Sequence, residues 1–330
     1  MSDYRSLTRD FLKGMIRAPD TELRGLLSDH LTPDSVWNIS HPTNRLEGID
    51  EVLEGFILPL RRALSHIHRR DEIFIGGSNR RSSGGNWVAC VTHYVGNFKA
   101  PLGRIRPSNS LVFLRAGEFY RIEGGLIKEA KIIVDLLDLL QQVNRFPLPH
   151  MLGTKRLFPG PATHDGILPA HRERGGATLD LVERMLENLT DFDPNTFESK
   201  GQTGEHGYWH DDMLWFGPGA IGASYRWEGF EKDHRSAFLT AFPDRVGGDH
   251  YACGIGDGDY AAVSGWPSMS MTHLGEYLGV KPTNKPLSLR VMDFYRCSEG
   301  KIAENWVLLD YLDFFQQMGV NLIGRAESLD

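Results

Sequence analysis

The sequence is poor in cysteine, and this shortage excludes two classes of protein. Its 330 residues include three cysteines, Cys90, Cys253 and Cys297, and none of them belongs to a CxxC pair. An odd number of widely spaced cysteines argues against a disulfide framework and against a structural zinc site. We therefore expect buried, reduced thiols, no metal ligands and no bound cofactor.

Long apolar runs and an excess of basic residues are lacking as well. No segment has the roughly 18 uninterrupted apolar residues of a membrane span, and the start of the chain has no apolar run typical of a signal peptide. The formal net charge is −7, which argues against nucleic acid and anionic membranes as partners. We expect a cytoplasmic protein that binds neither.

What the sequence does contain is an internal repeat. Residues 106–142 align without gaps with residues 281–317, and 15 of the 37 positions are identical. Shorter matches precede this block in the same order in both halves: Val36-Trp37 with Leu214-Trp215, and Arg45-Leu46-Glu47-Gly48 with Arg226-Trp227-Glu228-Gly229. A period near 175 residues indicates a duplicated domain, because solenoid repeats are far shorter.

The boundaries of the copies follow from composition. A stretch rich in proline and glycine lies between them and is typical of a linker. We predict one domain at 1–146, a linker at 147–176 and a second domain at 177–330. In the second copy, apolar spacing predicts helices at 179–189 and 230–242, with a short extended segment at 212–216 between them. Antiparallel strands joined by hairpins follow at 250–256, 260–272, 286–297 and 301–309, and a short helix at 310–318 closes the copy. Helices followed by a run of strands indicate the α+β class.

Alternation along the last hairpin suggests a site. In the first strand Val291, Asp293 and Tyr295 share a face, and in the second Glu304 and Trp306 share a face. If both sets line one concave surface, two carboxylates lie in an apolar cavity, where desolvation raises the pKa of a carboxyl group and suits it to general acid/base catalysis. In the alternative interpretation, both carboxylates pair with arginines and are structural.

The same region resembles the SnoaL-like polyketide cyclases of the NTF2-like superfamily. The matching residues are Thr272, His273, Gly275, Gly279, Thr283, Asp293, Arg296, Gly300, Lys301, Ile302, Glu304, Trp306 and Asp310. The resemblance implies two tandem cone-shaped α+β barrels, each with helices packed on a curved antiparallel sheet. It also implies aldol-type cyclisation without a cofactor, with Asp293 as the base and His273 as a group that orients it or donates a proton.

Candidate site residues follow from the resemblance and the alternation. In the second copy they are catalytic Asp293, His273 and Glu304, and pocket residues Trp215, Glu228, Tyr295, Trp306 and Asp310. In the first copy they are Trp37, Glu118, Tyr120, Glu129 and Lys131. There Glu118 replaces Asp293 and Lys131 replaces Trp306. We expect Lys131 to fill the first cavity as an ion-pair plug; a reactive, desolvated amine is the alternative.

Three functions remain open at this stage. The first is an enzyme that cyclises or isomerises a small, partly apolar, oxygenated molecule without a cofactor. The second is a cavity protein that binds such a molecule without turnover, and the third is a dehydratase or hydrolase of the same superfamily. We expect the two halves to pack as an intramolecular pseudo-dimer, and leave further association into a homo-oligomer open.

Overall fold

The computed structural model describes residues 3–193, 196–197 and 199–329. The first half contains α1 (Tyr4–Arg17), α2 (Asp20–His30), β1 (Leu31–Ile39), β2 (Arg45–Glu47), α3 (Gly48–Val52), a π-helical turn (Leu53–Ile57), α4 (Leu58–Ala63), β3 (Leu64–Ser78), β4 (Asn86–Phe98), β5 (Leu111–Glu123), β6 (Leu126–Val134) and α5 (Leu136–Gln142). The second half contains α6 (Gly175–Thr190), β7 (Trp209–Phe216), β8 (Ala223–Tyr225), α7 (Arg226–Phe230), a π-helical turn (Glu231–Arg235), α8 (Ser236–Ala241), β9 (Val246–Gly247), β10 (Cys253–Asp257), β11 (Tyr260–Thr272), β12 (Pro286–Ser298), β13 (Lys301–Leu309), α9 (Tyr311–Met318) and α10 (Leu322–Glu327). Within these ranges no helix combines the length and apolarity needed to cross a membrane.

The two halves have the same topology. The strand order is β2-β1-β6-β5-β4-β3 in the first sheet and β8-β7-β13-β12-β11-β10 in the second, where β9 pairs with β11. Among the strands of the described residues, one pairing in each sheet is parallel, β1 with β6 and β7 with β13. Helices cover one face of each sheet, as the apolar stripes of α1 and α6 require. The prediction of a tandem α+β duplication is therefore confirmed.

Strand register corrects one detail of the repeat. Val36 pairs with Glu47 in the first copy, and Leu214 pairs with Tyr225 in the second. These pairs differ by 178 positions, so Gly48 corresponds to Arg226, and both residues have a positive φ at the start of their helix. The match of Arg45–Gly48 with Arg226–Gly229 was therefore wrong by three residues. The two four-residue segments share three residue types by chance, although the strand pairing shows that they are not equivalent.

The faces of the sheets that turn away from the helices pack against each other. Their side chains form a second core, which includes Ile75, Trp87 and Phe119 from the first sheet and Phe294, Trp306 and Leu308 from the second. The rings of Phe119 and Phe294, which are equivalent positions, lie 5.5 Å apart. A Cβ atom at Gly117 would lie 2.9 Å from Leu308 Cδ1. A side chain at this position would therefore force the packed residues of the second sheet to shift.

A pair of equivalent aspartates also joins the halves. Asp135 is the N-cap of α5 and accepts a hydrogen bond from Gly219 N at 2.8 Å. Asp310 is the N-cap of α9 and accepts one from His41 N at 3.1 Å. His41 and Gly219 are themselves equivalent at the offset of 178. The two caps thus cross the boundary in opposite directions, as in an interface with two-fold symmetry.

The chain between the halves runs over both of them. Ile167 forms a parallel bridge with Phe74 of the first sheet, and Thr154 pairs with Ala223 of the second. Pro159 O accepts a hydrogen bond from Trp306 Nε1 at 2.7 Å. This segment therefore covers the seam between the sheets. The exact limits of the two domains stay a prediction.

Candidate functional site

A cavity of about 120 Å³ opens between the helices and the sheet of the second half. Its wall is mostly apolar and includes Leu186, Trp209, Phe230, Phe238, Leu289 and Val307. Two of the predicted pocket residues, Trp215 and Tyr295, line it as well. A concave apolar space with a few polar groups is the usual form of a small-molecule site.

Asp293 is placed in this cavity by the alternation of β12, beside Val291 and Tyr295. Burial raises the pKa of its carboxyl group to about 7, although side-chain hydrogen bonds with Asn305 and Tyr295 act in the opposite direction. Burial also raises the pKa of the Tyr295 hydroxyl, and the neighbouring Asp293 raises it further. The side chain remains partly exposed, so its carboxylate is open to a small molecule in the cavity.

The predicted cavity positions on β13 were wrong, because the strand contains a β-bulge. Arg296 pairs with Glu304, but Cys297 pairs with Ile302, so Ala303 is an extra residue. One extra residue reverses the alternation of every side chain that follows it. As a result Asn305, Val307 and Leu309 line the cavity, whereas Glu304 and Trp306 face the other way.

The surroundings of Glu304 and Trp306 explain both corrections. Glu304 is 3% exposed, forms an ion pair with Arg296 and accepts hydrogen bonds from Ala162 N at 3.3 Å. Trp306 packs between the two sheets, with its ring 5.6 Å from that of Phe216. Neither side chain lines the cavity. Both hold the connecting segment and the second sheet in place.

Two further predicted pocket residues lie elsewhere. Glu228 is exposed, with a carboxylate 3.5 Å from Arg226 Nε. Its place on the outer side of α7 follows from the register described above. Asp310 lies at the boundary between the halves, where Arg290 Nη1 is 2.9 Å from its carboxylate. Helix capping and ion pairing therefore account for Asp310.

His273 does not lie beside Asp293. Its backbone N–H bonds to Lys285 O, eight residues before Asp293, which corresponds to about 25 Å along an extended strand. Its ring lies 5.5 Å from Phe242, its Nδ1 is 3.1 Å from Thr283 Oγ1, and burial lowers its pKa. Phe98 makes the equivalent backbone hydrogen bond in the first copy. The position is thus a core position, and proximity in the motif did not mean proximity in space.

The histidine that does line the cavity is His234, which the sequence analysis missed. Its ring stacks on Trp215, with centroids 4.8 Å apart and planes 15° apart. Burial, together with the charges of Arg245 and Arg235, lowers its pKa to about 3. The spacing of Phe230, His234 and Phe238 was the available signal, since a histidine interrupts an apolar stripe there. His234 lies in a π-helical turn, a feature frequent at functional sites.

The first copy is filled where the second has its cavity. Glu118, the equivalent of Asp293, is fully buried and lies 2.7 Å from Arg69 Nη2. It also accepts hydrogen bonds from Tyr94 at 2.5 Å and from Tyr120 at 2.8 Å. This network satisfies the buried charge and occupies the interior.

The prediction that Lys131 fills the first cavity was therefore wrong, because Glu118 and Arg69 occupy this interior instead. A bulge in β6 after Ile127 reverses the alternation, as in β13, so Lys131 points into the layer between the sheets. Its Nζ lies 5.2 Å from the centre of the Trp87 ring and 3.5 Å from Glu129. These partners also leave no support for a reactive amine.

Aromatic residues of the first copy complete the contrast. Trp37, the equivalent of Trp215, is fully buried, and its ring lies 6.2 Å from that of Phe56. At the offset of 178, Phe56 occupies the position of His234. The first copy therefore has phenylalanine and an ion pair where the second has histidine and an aspartate open to the cavity. Across the described ranges, no group of three or more potential ligand side chains is arranged to hold a metal ion.

Parts of the chain are similar to known proteins. Residues 205–318 match the family described as SnoaL-like polyketide cyclase. No curated protein matches the chain. Similar solved structures include a candidate SnoaL-like polyketide cyclase from Jannaschia sp. CCS1 (16% identity, 42% of this chain and 91% of that one, TM-score 0.36). A second is IdmH, a candidate polyketide cyclase from Streptomyces antibioticus (22% identity, 43% of this chain and 99% of that one, TM-score 0.35). A third is an NTF2-like protein from Burkholderia thailandensis E264 (15% identity, 44% of this chain and 98% of that one, TM-score 0.33).

Proposed function

We propose that the SnoaL-like domain in the second half of the chain catalyses cofactor-free acid/base chemistry on a small, partly apolar, oxygenated molecule. The observation that carries this proposal is the carboxyl group of Asp293, which borders an apolar cavity and whose pKa is raised to about 7 by burial. A base whose pKa is close to the working pH combines availability with strength. The first half, with its filled interior, serves as the packing partner in an intramolecular pseudo-dimer.

In the proposed reaction, the carboxylate of Asp293 removes a proton from the carbon next to a carbonyl group. The resulting enolate carbon forms a bond with a second carbonyl carbon of the same molecule. The alkoxide that forms there takes the proton back from Asp293, so atoms and charge balance. If the enolate is conjugated with a carbon–carbon double bond and Asp293 returns the proton to the far carbon of that system instead, the double bond moves and the same site acts as an isomerase. His234 is neutral because its pKa is about 3, so its N–H can stabilise the enolate oxygen by a hydrogen bond.

Proton exchange tests this proposal without knowledge of the natural substrate. Bicyclic ketones such as 2-tetralone are incubated with the protein in deuterated buffer, and deuterium uptake at the α-carbon is followed by NMR. We expect exchange above the buffer rate in the wild type. Asp293→Asn should lower it by about 100- to 10,000-fold, the usual contribution of a general base. Glu228→Gln, which changes an exposed carboxylate outside the cavity, is the matched control.

Undiminished exchange in the Asn variant would reject Asp293 as the base. Binding without exchange in the wild type would favour a non-catalytic carrier of small molecules. A hydrolase or dehydratase is the other candidate, because Asn305 beside Asp293 is a second polar group that could hold a water molecule. Products that carry ¹⁸O from labelled water would favour the hydrolase.

A further inference from the structure

Two arginines of the cavity wall have no carboxylate partner among the residues that the structure describes. Arg235 and Arg245, here called the arginine pair, both line the cavity. Their guanidinium carbons lie 5.5 and 5.3 Å from the centre of the Phe192 ring. Among the described residues, no carboxylate lies within ion-pair distance of either one; Glu231 and Asp249 act on them only as more distant charges. Two cations thus contact one aromatic ring and repel each other, without a carboxylate at ion-pair distance in the described part of the chain.

The arginine pair is held in place by hydrogen bonds to neutral groups. Arg235 is 4% exposed, and its Nε and Nη2 donate to Phe197 O at 2.9 Å and Ser199 Oγ at 2.6 Å. Arg245 Nη1 donates to Gly247 O at 3.2 Å, while its Nε is buried without a hydrogen-bond partner in the described part of the chain. A buried donor without a partner costs free energy, and this cost adds to that of holding two guanidinium groups in the cavity wall.

The arginine pair does not serve Asp293. The pKa of Asp293 is set by burial and by its hydrogen bonds with Asn305 and Tyr295, and neither arginine contributes to it. Burial, together with the repulsion of Arg245, lowers the pKa of Arg235 to about 10. Two positive charges therefore lie in the cavity wall although burial disfavours them, and neither contributes to the pKa of the proposed base.

We infer that the cavity takes an organic anion, with an apolar or aromatic body and a carboxylate that binds the arginine pair. The inference rests on the proposed function, since it assigns a substrate class to the same site. Bidentate, charge-assisted hydrogen bonds make guanidinium groups the preferred partners of carboxylates. The rings of Trp215 and His234 supply an aromatic wall for the body of the ligand. The carboxylate at the arginine pair would then leave the opposite end of the ligand to Asp293.

Calorimetric binding of two matched probes to the full chain tests the inference. The probes are 2-naphthoate and its neutral analogue 2-naphthamide, measured at pH 6, where Asp293 is largely protonated. We expect naphthoate to bind about 10-fold more tightly or better, since hydrogen bonds to charged groups are stronger than neutral ones. Arg245→Gln should abolish this preference, and Arg245→Lys should retain part of it.

The matched control is Arg226→Gln, which removes an exposed arginine outside the cavity and should leave the preference intact. The wild-type comparison needs no variant, so the test survives even if a substituted protein fails to fold. Equal affinity for the two probes, or an unchanged preference in Arg245→Gln, would overturn the inference. Exchange of neutral 2-tetralone that depends on Asp293 would then still support the proposed function. Failure of both probes to bind would overturn the inference and, if 2-tetralone also fails to exchange, the proposed function with it.

Discussion

At the scale of single residues, burial acts on Asp293 and His234 in opposite directions. Burial raises the pKa of the Asp293 carboxyl group to about 7, and it contributes most to lowering the pKa of the His234 imidazole to about 3. Both shifts arise because an apolar cavity disfavours the charged form of each group. At pH 6 both side chains are therefore largely neutral. As the pH rises through about 7, only Asp293 gains a charge, and the cavity acquires its base.

The first prediction concerns the stability cost of that base. The folded pKa of Asp293 lies above its unfolded value, so the native state binds more protons between about pH 4 and 7, and the contribution of Asp293 to stability is lost as the pH rises through about 7. Asp293→Asn should consequently raise the free energy of unfolding more at pH 8 than at pH 5, by at most a few kcal/mol. Denaturant unfolding at both pH values measures this difference, with Glu228→Gln as the control. An equal effect at both pH values would contradict the buried-carboxyl interpretation.

A second prediction concerns His234, for which the stability changes with pH in the opposite direction. Its folded pKa lies below the unfolded value of 6.5, so protonation favours the unfolded state, and stability falls as the pH drops from about 6.5 towards 3. His234→Phe, which installs the residue found at the equivalent position 56, should remove up to about 1.4 kcal/mol of acid sensitivity per pH unit. Thermal unfolding between pH 4 and 7 measures it, with the exposed His250→Gln as the control. Identical acid sensitivity of variant and wild type would show that His234 is not buried in its neutral form.

At the scale of elements, the extents of the strands could be predicted from the sequence, but the direction of one set of side chains could not. The spans 260–272 and 301–309 coincide with β11 and β13, because apolar residues and turn glycines mark their ends. The bulge at Ala303 leaves no comparable mark in composition, yet it reverses Glu304 and Trp306. Asp293 precedes the bulge, so its predicted face was correct.

The missed histidine has a related cause. The helix predicted at 230–242 is one helical segment that begins at Arg226 and contains a π-helical turn at Glu231–Arg235. A π-helical turn changes which side chains share a face, and ordinary helical spacing does not reveal it. The family motif lies on β11–β13 and does not include the helix that carries His234. Motif reasoning therefore located half of the candidate site.

The bulge yields a third prediction, which compares neighbouring residues of one strand. Val307 lines the cavity, so Val307→Phe should fill it and lower the affinity for 2-naphthoate by about 10-fold or more. Trp306 faces the other sheet, so Trp306→Phe should cost about 1–3 kcal/mol of stability through lost packing and the lost bond to Pro159. The affinity of Trp306→Phe should remain that of the wild type. Calorimetry and denaturant unfolding of both variants measure the two effects, and the reverse pattern would contradict the assigned alternation.

At the scale of the whole molecule, the duplication explains why the first half can lack an open cavity and still support the second half. The layer between the sheets is built from equivalent positions of both halves, such as Phe119 and Phe294. Each half covers the apolar face of the other, whatever its own interior contains. The ion pair of Glu118 and Arg69 can therefore replace a cavity in the first half without loss of the interface that the second half needs.

This arrangement gives the last prediction. A fragment of residues 147–330 keeps its helices, its own sheet and the connecting segment, but exposes the face formed by Met292, Phe294 and Leu308. Because the interface has two-fold character, the same face on a second copy can cover it. We expect this fragment to form a homodimer, and Phe294→Glu to convert it into a less stable monomer, since a charge would be buried at the centre of the interface. Analytical ultracentrifugation at several concentrations measures the association, and the full chain, in which this face is already covered, is the reference. A fragment that stays monomeric and as stable as the full chain would show that the second sheet does not need its partner, and the role proposed for the first half would fail.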